Sequence, residues 1–275
     1  MSKKSDKFEN DLVEMVNNHI GESLPNDLPE WMIKEGIVPS SEIISCRGIG
    51  SVNRSNKTDV IIELSKGEPI KISAKLTNAD YFGNWYGHVR FLEEFGTEAF
   101  ERMTLEATKW ANQWAETAIA PYVGVSICFG RRTGNTAQDF TDIFTAKDIL
   151  TVARGFGKGE HVANCMIIDN TVPNSILNLI NNLEEITVET VIEATESFKV
   201  AYRPINPMTE GTNRGKNVYT KFQPYESLEQ PTVIENPREL FALGEFVTVE
   251  PTRLNHNHIL DTLEDQYNII VPRKL

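Results

Sequence analysis

Two short runs rich in β-branched residues place the strongest constraint on the fold of this chain. The runs cover residues 59–64 and 70–76, and Ser-Lys-Gly-Glu-Pro separates them. Runs of this kind, bounded by turn-forming residues, predict two β-strands joined as a hairpin. If the loop is the three residues Lys-Gly-Glu, the pairing places Asp59 opposite Lys75. Directly paired residues share one face of a sheet, so we expect this carboxylate and this ammonium to meet at the open end of the hairpin.

The two faces of the predicted hairpin differ in character. In the same register Ser73 lies opposite Ile61, on the same face as Lys75. The alternate positions of the second strand point the other way, and all of them are apolar: Ile70, Ile72, Ala74 and Leu76. We therefore expect one face of the hairpin to pack into the core and the other to carry the polar residues.

The remaining patterns predict a mixed α/β fold. Helical spacing predicts helices at 5–20, 84–95, 97–118, 141–154 and 174–183. Apolar runs predict strands at 122–129 and 162–168 and a late pair at 197–202 and 218–222. This order calls for a mixed β-sheet flanked by helices. We expect residues 1–195 to form the core and residues 196–275 to form a β-rich extension packed on the same domain.

Composition narrows the class of protein. The 275 residues are 40% hydrophobic, and no apolar run approaches the roughly 18 residues of a membrane span. The basic N-terminus leads into an amphipathic segment, so we expect a cytoplasmic protein without a membrane partner. Three widely spaced cysteines, Cys46, Cys128 and Cys165, fit neither a disulfide framework nor a cysteine-type zinc site.

The charge distribution bears on nucleic-acid binding. A net charge of −12 argues against binding DNA through overall charge. However, residues 45–90 carry seven Lys/Arg against four Asp/Glu, and residues 199–221 carry five against one. These two basic islands could form one DNA-facing side, although chance variation on a solvated surface explains them equally well. The candidate DNA contacts within them are Arg47, Arg54, Lys57, Arg203, Arg214 and Lys216.

The pattern around the hairpin resembles the PD-(D/E)XK nuclease superfamily, which includes most type II restriction endonucleases. That pattern has an acidic residue on an N-terminal helix, an Asp that opens one strand, and an acidic-x-Lys sequence at the end of the next. Here the matching pieces are Glu9, Thr58-Asp59 and Ser73-Ala74-Lys75, and the resemblance covers about residues 5–95. It implies a restriction-endonuclease-like fold and Mg²⁺-dependent cleavage of double-stranded DNA. It also implies that Asp59 ligates the metal and that Lys75 lies beside the attacking water.

Ser73 departs from this pattern, because it stands where a second acidic ligand is expected. Some restriction endonucleases resemble this chain in having Ser-x-Lys, and a glutamate from the following helix then fills the vacant place. The following helix here carries Glu93 and Glu94. If Trp85, Val89, Leu92 and Phe95 form its core-facing side, Glu94 points away and Glu93 lies at the border. We therefore expect Glu93 to be the second metal ligand with Asp59, while solvation of both glutamates on a surface helix is the alternative.

Glu9 is the other candidate acid. At 100° per residue it falls between Val13 and Val16, within the apolar stripe of its own helix. A carboxylate in that position needs a partner, which fits an active-site acid acting on metal-bound water. Favourable negative charge in the first turn of a helix is the alternative explanation.

Two other classes of function fit the same residues. A catalytically inactive DNA-binding protein would account for Ser73 and for the acidic net charge. An interaction protein without a nucleic-acid role would leave Asp59 and Lys75 as an ordinary salt bridge. For the nuclease we expect a homodimer, because two-fold symmetry is the simplest way to cut both strands of a duplex.

Overall fold

A computed structural model describes residues 3–49, 56–79, 81–83, 85–131, 134–210 and 217–274. The helices are α1 Lys3–Asn17, α2 Glu30–Lys34, α3 His88–Ala115, α4 Asp148–Arg154, α5 Ile176–Asn182, α6 Val188–Thr195, α7 Pro237–Ala242 and α8 His256–Tyr267. The strands are β1 Ile43–Gly48, β2 Val60–Leu64, β3 Ile70–Lys75, β4 Tyr81–Gly83, β5 Val125–Gly130, β6 Ala137–Asp139, β7 Cys165–Ile168, β8 Glu184–Glu185, β9 Lys199–Pro204, β10 Lys221–Pro224, β11 Thr232–Val233, β12 Gly244–Val247 and β13 Ile269–Ile270. The protein is therefore mixed α/β, as the sequence predicts.

The chain divides into two compact units, and each is built from two separate segments. The first unit comprises Met1–Phe82 and Ala146–Phe198, and the second comprises Gly83–Thr145 and Lys199–Leu275. The predicted boundary near residue 195 lies close to the end of the first unit. Residues 83–145, which the sequence analysis assigned to the core, belong instead to the second unit. In the ranges that the structure describes, no helix has both the length and the apolar character of a membrane span.

The first unit is organised around a five-stranded sheet in the order β1-β2-β3-β7-β8. Strands β1, β2 and β3 are antiparallel, β7 is parallel to β3, and β8 is antiparallel to β7. Helix α1 buries Phe8, Leu12 and Val16, whose spacing puts them on one side of the helix. These side chains join a single apolar cluster with the strand residues and with α5. The cluster fixes α1 against the part of the sheet that contains the hairpin.

The hairpin forms with a register different from the predicted one. Ile61 pairs with Lys71 and not with Ser73, so the pairing is shifted by two residues. The shift arises because the connecting loop is held by a distant segment: Ser65 N–H donates to Glu42 O and Glu68 N–H donates to Gly36 O. A slip of two residues keeps every side chain on its predicted face. The apolar face of β3 is accordingly buried, as predicted: Ile70, Ile72 and Ala74.

The second unit contains short sheets around an aromatic core. Strand β9 pairs antiparallel with both β5 and β6, and β10 pairs with β12. The predicted pairing of the two late strands with each other is therefore wrong, since the edges of β9 are taken by β5 and β6. Buried aromatic rings in mutual contact fill this unit: Phe91, Phe100, Phe129, Phe140 and Tyr219.

Helix α3 belongs to the second unit and is interrupted once. Gly96 adopts φ 80° and ψ 176°, which is not a helical conformation. The positive φ suits glycine, because a Cβ atom would strain the backbone there. The prediction of two helices that meet near residue 96 is therefore confirmed, although the first begins at His88 and not at residue 84.

Candidate active site

The side chains of Asp59 and Lys75 meet in the first unit as predicted, although the observed register does not place the two residues directly opposite each other. Asp59 lies immediately before β2, and its N–H donates to Ile72 O at 2.8 Å. Its carboxylate Oδ2 accepts the Ala74 N–H at 2.8 Å and Lys75 Nζ at 3.0 Å. Lys75 Nζ also donates to Ala74 O at 3.0 Å. The Asp59 carboxylate thus accepts a main-chain N–H at the end of β3 and also holds the Lys75 ammonium there.

Burial distinguishes this pair from an ordinary surface salt bridge. The side chain of Lys75 is 20% exposed and that of Asp59 is 15% exposed. Exposed ion pairs between long side chains contribute little and are screened by salt, whereas partly buried charges must be compensated. Asp59 and Lys75 are thus two partly desolvated charges that compensate each other at the end of the hairpin.

Glu9 joins the same site from α1. Burial first, and then the nearby Asp59 carboxylate, raise the pKa of the Glu9 carboxyl, and the Lys75 ammonium acts in the opposite direction; the resulting pKa is about 7. Phe8 and Leu12 on either side of Glu9 are buried in the core, so the position of Glu9 is set by the packing of α1. The structure therefore brings together three predicted site residues that are far apart in the sequence.

The raised pKa of Glu9 predicts a pH-dependent stability. The folded protein holds the Glu9 proton more tightly than the unfolded chain, where the pKa is near 4.5. Stability from this group is complete below that value and is lost as the pH rises through about 7. Glutamine does not ionise, so we expect Glu9→Gln to remove this loss of folding stability at high pH. The variant should therefore be more stable than the wild type at pH 8 but not at pH 4. Urea unfolding at both pH values measures this.

The exposed Glu14 of the same helix provides the matched control. Glu14→Gln should leave the difference between the two pH values unchanged. An equal effect of Glu9→Gln at pH 4 and pH 8 would contradict the assignment of the raised pKa to Glu9.

Ser73 lies on the same face of β3 but does not offer a charged ligand. It is 2% exposed and pairs with Met166 of the parallel strand β7. A carboxylate at this buried position would lose its hydration, whereas a hydroxyl is desolvated at much lower cost. The structure thus supplies a packing reason for Ser at the position where the resembling family has an acidic residue.

The structure corrects the face assignment of the helix that carries Glu93 and Glu94. Val89, predicted to face the core, is 42% exposed, whereas Phe91 is fully buried. As a result Glu93 is exposed, and the side chain of Glu94 is only 5% exposed. Both residues belong to the second unit, while Asp59 and Lys75 belong to the first. The role of Glu93 as second metal ligand therefore stays a prediction from the sequence.

Glu94 has structural partners that the sequence pattern did not predict. Its carboxylate accepts Tyr86 OH at 2.7 Å and Arg90 Nε at 2.7 Å. The guanidinium of Arg90 lies 4.0 Å from the ring centroid of Tyr86 and donates to its hydroxyl. Arg90 and Glu94 are four residues apart on a helix, and this spacing in the sequence indicates that the two side chains can form an ion pair. This cluster is a buried ion pair with a satisfied hydroxyl.

We expect Glu94→Ala to destabilise the second unit. Removal of the carboxylate leaves the Arg90 guanidinium, 14% exposed, without its charge partner. Breaking a buried ion pair on one side costs about 3 kcal/mol. Chemical unfolding monitored by tryptophan fluorescence measures the change. Glu93→Ala on the exposed side of the same helix is the control, and an equally small effect of both variants would contradict the structural role of Glu94.

The candidate DNA contacts have varied surroundings. Arg47 forms ion pairs with Glu160 at 2.6 Å and Glu63 at 3.7 Å. Arg203 pairs with Glu210 at 3.3 Å. Lys57 is 7% exposed, and its ammonium donates to Phe82 O at 3.4 Å.

Two consequences follow for these candidates. Lys57 is buried and exposes little surface to a partner, and its contact with DNA stays a prediction. The roles of Arg47 and Arg203 stay predictions. The remaining candidates lie outside the described residues: Arg54, Arg214 and Lys216.

The two carboxylates of the site fit a divalent cation in their chemistry. Within the described residues, no group of three or more His, Cys, Asp or Glu side chains is placed to hold a metal ion. Glu9 and Asp59 are nevertheless oxygen donors of the kind that Mg²⁺ prefers. Their mutual repulsion raises the pKa of Glu9, and a cation between them would offset it. In the described part of the chain, the side-chain hydrogen bonds of Asp59 fall on Oδ2, which leaves Oδ1 for such a ligand.

Comparisons with known proteins returned no match. No family model matches the chain, and neither a curated protein nor a solved structure matches it. The assignment of function therefore depends on the residues and geometry of the site itself.

Proposed function

We propose that this protein is a Mg²⁺-dependent endonuclease that hydrolyses phosphodiester bonds of double-stranded DNA, similar to a type II restriction endonuclease. The observation that carries the proposal is the cluster of Glu9, Asp59 and Lys75 at one end of the hairpin. Two carboxylates and one ammonium, partly desolvated, are the groups that metal-assisted phosphodiester hydrolysis requires.

Each side chain has a distinct task in this proposal. Asp59 offers Oδ1 to the cation and fixes Lys75 through Oδ2. Glu9 supplies the second negative charge, the task that Ser73 cannot perform. Lys75, oriented by Asp59 and by Ala74 O, donates to the attacking water or to a phosphate oxygen and stabilises the charge that develops there. When bound, Mg²⁺ neutralises the scissile phosphate and lowers the pKa of the attacking water.

A catalytically inactive DNA-binding protein is the second candidate. Ser73 and the hydrogen bonds of Lys75 to both Asp59 and Ala74 O favour it, since they leave the ammonium with two acceptors already. A protein-interaction role without nucleic acid is the third, and in that case the cluster would be a purely structural ion pair. A homodimer belongs to the first proposal, since it would present two such sites to the two strands.

One pair of experiments separates these candidates. Supercoiled plasmid is incubated with the wild-type protein in Mg²⁺, and nicked or linear product is expected. Mobility shift of a DNA duplex in Ca²⁺, which supports binding without turnover in enzymes of this kind, then tests binding alone. Binding without cleavage would identify the inactive DNA-binding protein, and neither binding nor cleavage would leave the interaction protein.

A further inference from the structure

The segment 154–161 connects α4 to β7 in the first unit and has an unusual sequence, Arg-Gly-Phe-Gly-Lys-Gly-Glu-His. Its three glycines all have positive φ: Gly155 at 101°, Gly157 at 83° and Gly159 at 131°. A Cβ atom at Gly157 would meet nothing within 4 Å, so glycine is favoured at this position by the positive φ and not by lack of space. The glycines alternate with the two side chains that the segment presents, Phe156 and Lys158.

The base of this segment is held firmly despite its glycines. His161 Nε2 lies 2.9 Å from Phe156 O, and Ala163 N–H donates to Arg154 O at 2.9 Å. Lys71 Nζ donates to Gly159 O at 3.3 Å, and Lys57 N–H donates to His161 O at 3.0 Å. Hydrogen bonds from β3 and from the approach to β2 thus fix the loop. Its outward side chains are presented by a braced backbone, which reduces the entropy that binding must overcome.

Phe156 is exposed at the tip of the braced loop. Its side chain is 57% exposed, and the glycines on either side add no apolar cover. Single exposed apolar residues are ordinary on protein surfaces. Phe156 differs in that it lies between two positive-φ glycines, in a loop whose base is held by hydrogen bonds to Lys71 and Lys57. A large ring held out in this way is suited to contact with a partner.

The charge around this loop is opposite in sign to that of the chain. The chain has a net charge of −12. In contrast, the described residues of the loop and those bonded to it include five basic and two acidic side chains. The basic residues are Arg47, Lys57, Lys71, Arg154 and Lys158, and the acidic ones are Glu35 and Glu160. Lys158 is exposed and forms no ion pair with any described residue. A free cation beside an exposed aromatic ring fits a polyanion that also carries flat apolar groups.

The loop is also linked to the candidate active site through its contacts with Lys57. Lys57, which bonds to His161 and packs against Gly155, precedes Asp59 by two residues. Two residues of extended chain span about 7 Å. A duplex held at the loop would therefore pass near the Asp59 carboxylate.

We propose that the segment 154–161 is a DNA-contact loop, in which Lys158 binds a phosphate and Phe156 wedges against the bases of the duplex. This inference rests on the proposed function, because that function identifies DNA as the partner, but it does not require that the protein cleaves DNA. Apolar wedges of this kind insert at base steps in the minor groove and partly unstack them. The loop would supply one phosphate contact and one apolar contact to the duplex.

The test measures DNA binding in Ca²⁺ by fluorescence anisotropy with a labelled random-sequence duplex over a series of salt concentrations. Phe156→Ala should weaken binding about tenfold, the scale of one aromatic contact with a base, and should keep the salt dependence. Lys158→Ala should reduce the slope of log K against log salt concentration by about 0.9, the effect of one phosphate contact. Phe156→Trp should bind as the wild type does.

Two matched controls accompany these variants. Leu177→Ala removes a side chain of almost equal exposure, 56%, from α5 of the same unit, and Lys66→Ala removes an exposed lysine from the β2–β3 loop. Both should bind DNA as the wild type does. Each variant is first checked by circular dichroism and by its unfolding midpoint.

The outcomes separate the loop proposal from the nuclease proposal. DNA binding that depends on Phe156 and Lys158, without cleavage by the wild type, would support the DNA-contact loop and overturn the nuclease proposal. Wild-type affinity and salt slope in both Phe156→Ala and Lys158→Ala would overturn the loop alone and would point to a protein partner for Phe156. Absence of DNA binding by the wild type would overturn both.

Discussion

Asp59→Asn is expected to abolish Mg²⁺-dependent DNA cleavage while leaving the protein folded. The amide oxygen of Asn can still accept the Ala74 N–H, which Asp59 Oδ2 accepts at 2.8 Å, so the end of the hairpin keeps its hydrogen bond. The substitution removes the negative charge that holds the Lys75 ammonium and that, in the proposed function, would hold the cation. We expect a fall in cleavage rate of about 10³-fold or more, the scale of removing one electrostatic contribution to the transition state. Plasmid nicking under single-turnover conditions measures this.

Lys66→Ala in the exposed β2–β3 loop is the control for this variant, and it should cleave as the wild type does. DNA binding in Ca²⁺ should be retained by Asp59→Asn, since the substitution removes a negative charge and no positive one. Wild-type cleavage by Asp59→Asn would rule out the nuclease site at this position.

Glu9→Gln is expected to cause the second large loss of cleavage, about 10²-fold, with weaker metal binding. The reason is electrostatic: the burial that raises the pKa of Glu9 to about 7 also makes its charge costly without a cation. Metal affinity of the wild type should therefore rise with pH through about 7, as the Glu9 proton is released on binding. In Glu9→Gln that pH dependence should disappear. Isothermal titration with Mg²⁺ at pH 6 and pH 8 measures both effects.

Glu93→Gln is the matched comparison, because the sequence alone favoured Glu93 as the second ligand. We expect it to cleave as the wild type does, since Glu93 is exposed on α3. The opposite pattern, in which Glu93→Gln loses cleavage and Glu9→Gln retains it, would restore the sequence-based assignment and overturn the role given to Glu9.

Several features of the site could be read from local sequence alone. Alternation along β3 determined that Ile72 and Ala74 would be buried and that Ser73 and Lys75 would share the other face. This face assignment survives the two-residue error in register, because side chains in a strand repeat with a period of two. Helical periodicity likewise placed Glu9 near the buried side of α1. In each case the periodicity of the strand or helix, which is a local property, determines the face on which the side chain lies.

Other features depended on contacts between distant segments. The hairpin register is set by bonds from its loop to Glu42 and Gly36, which no pattern within residues 59–76 encodes. The division into two units, each of two segments, follows from where the chain returns and not from composition.

The face that α3 buries was also decided by tertiary packing. Phe91 sits in an aromatic core with Tyr219, more than a hundred residues away, and this rotates Val89 and Glu93 to the surface. Local periodicity therefore determined which face each side chain would occupy in β3 and α1. Long-range packing decided which elements meet, because apolar burial depends on surfaces that only the complete fold brings together.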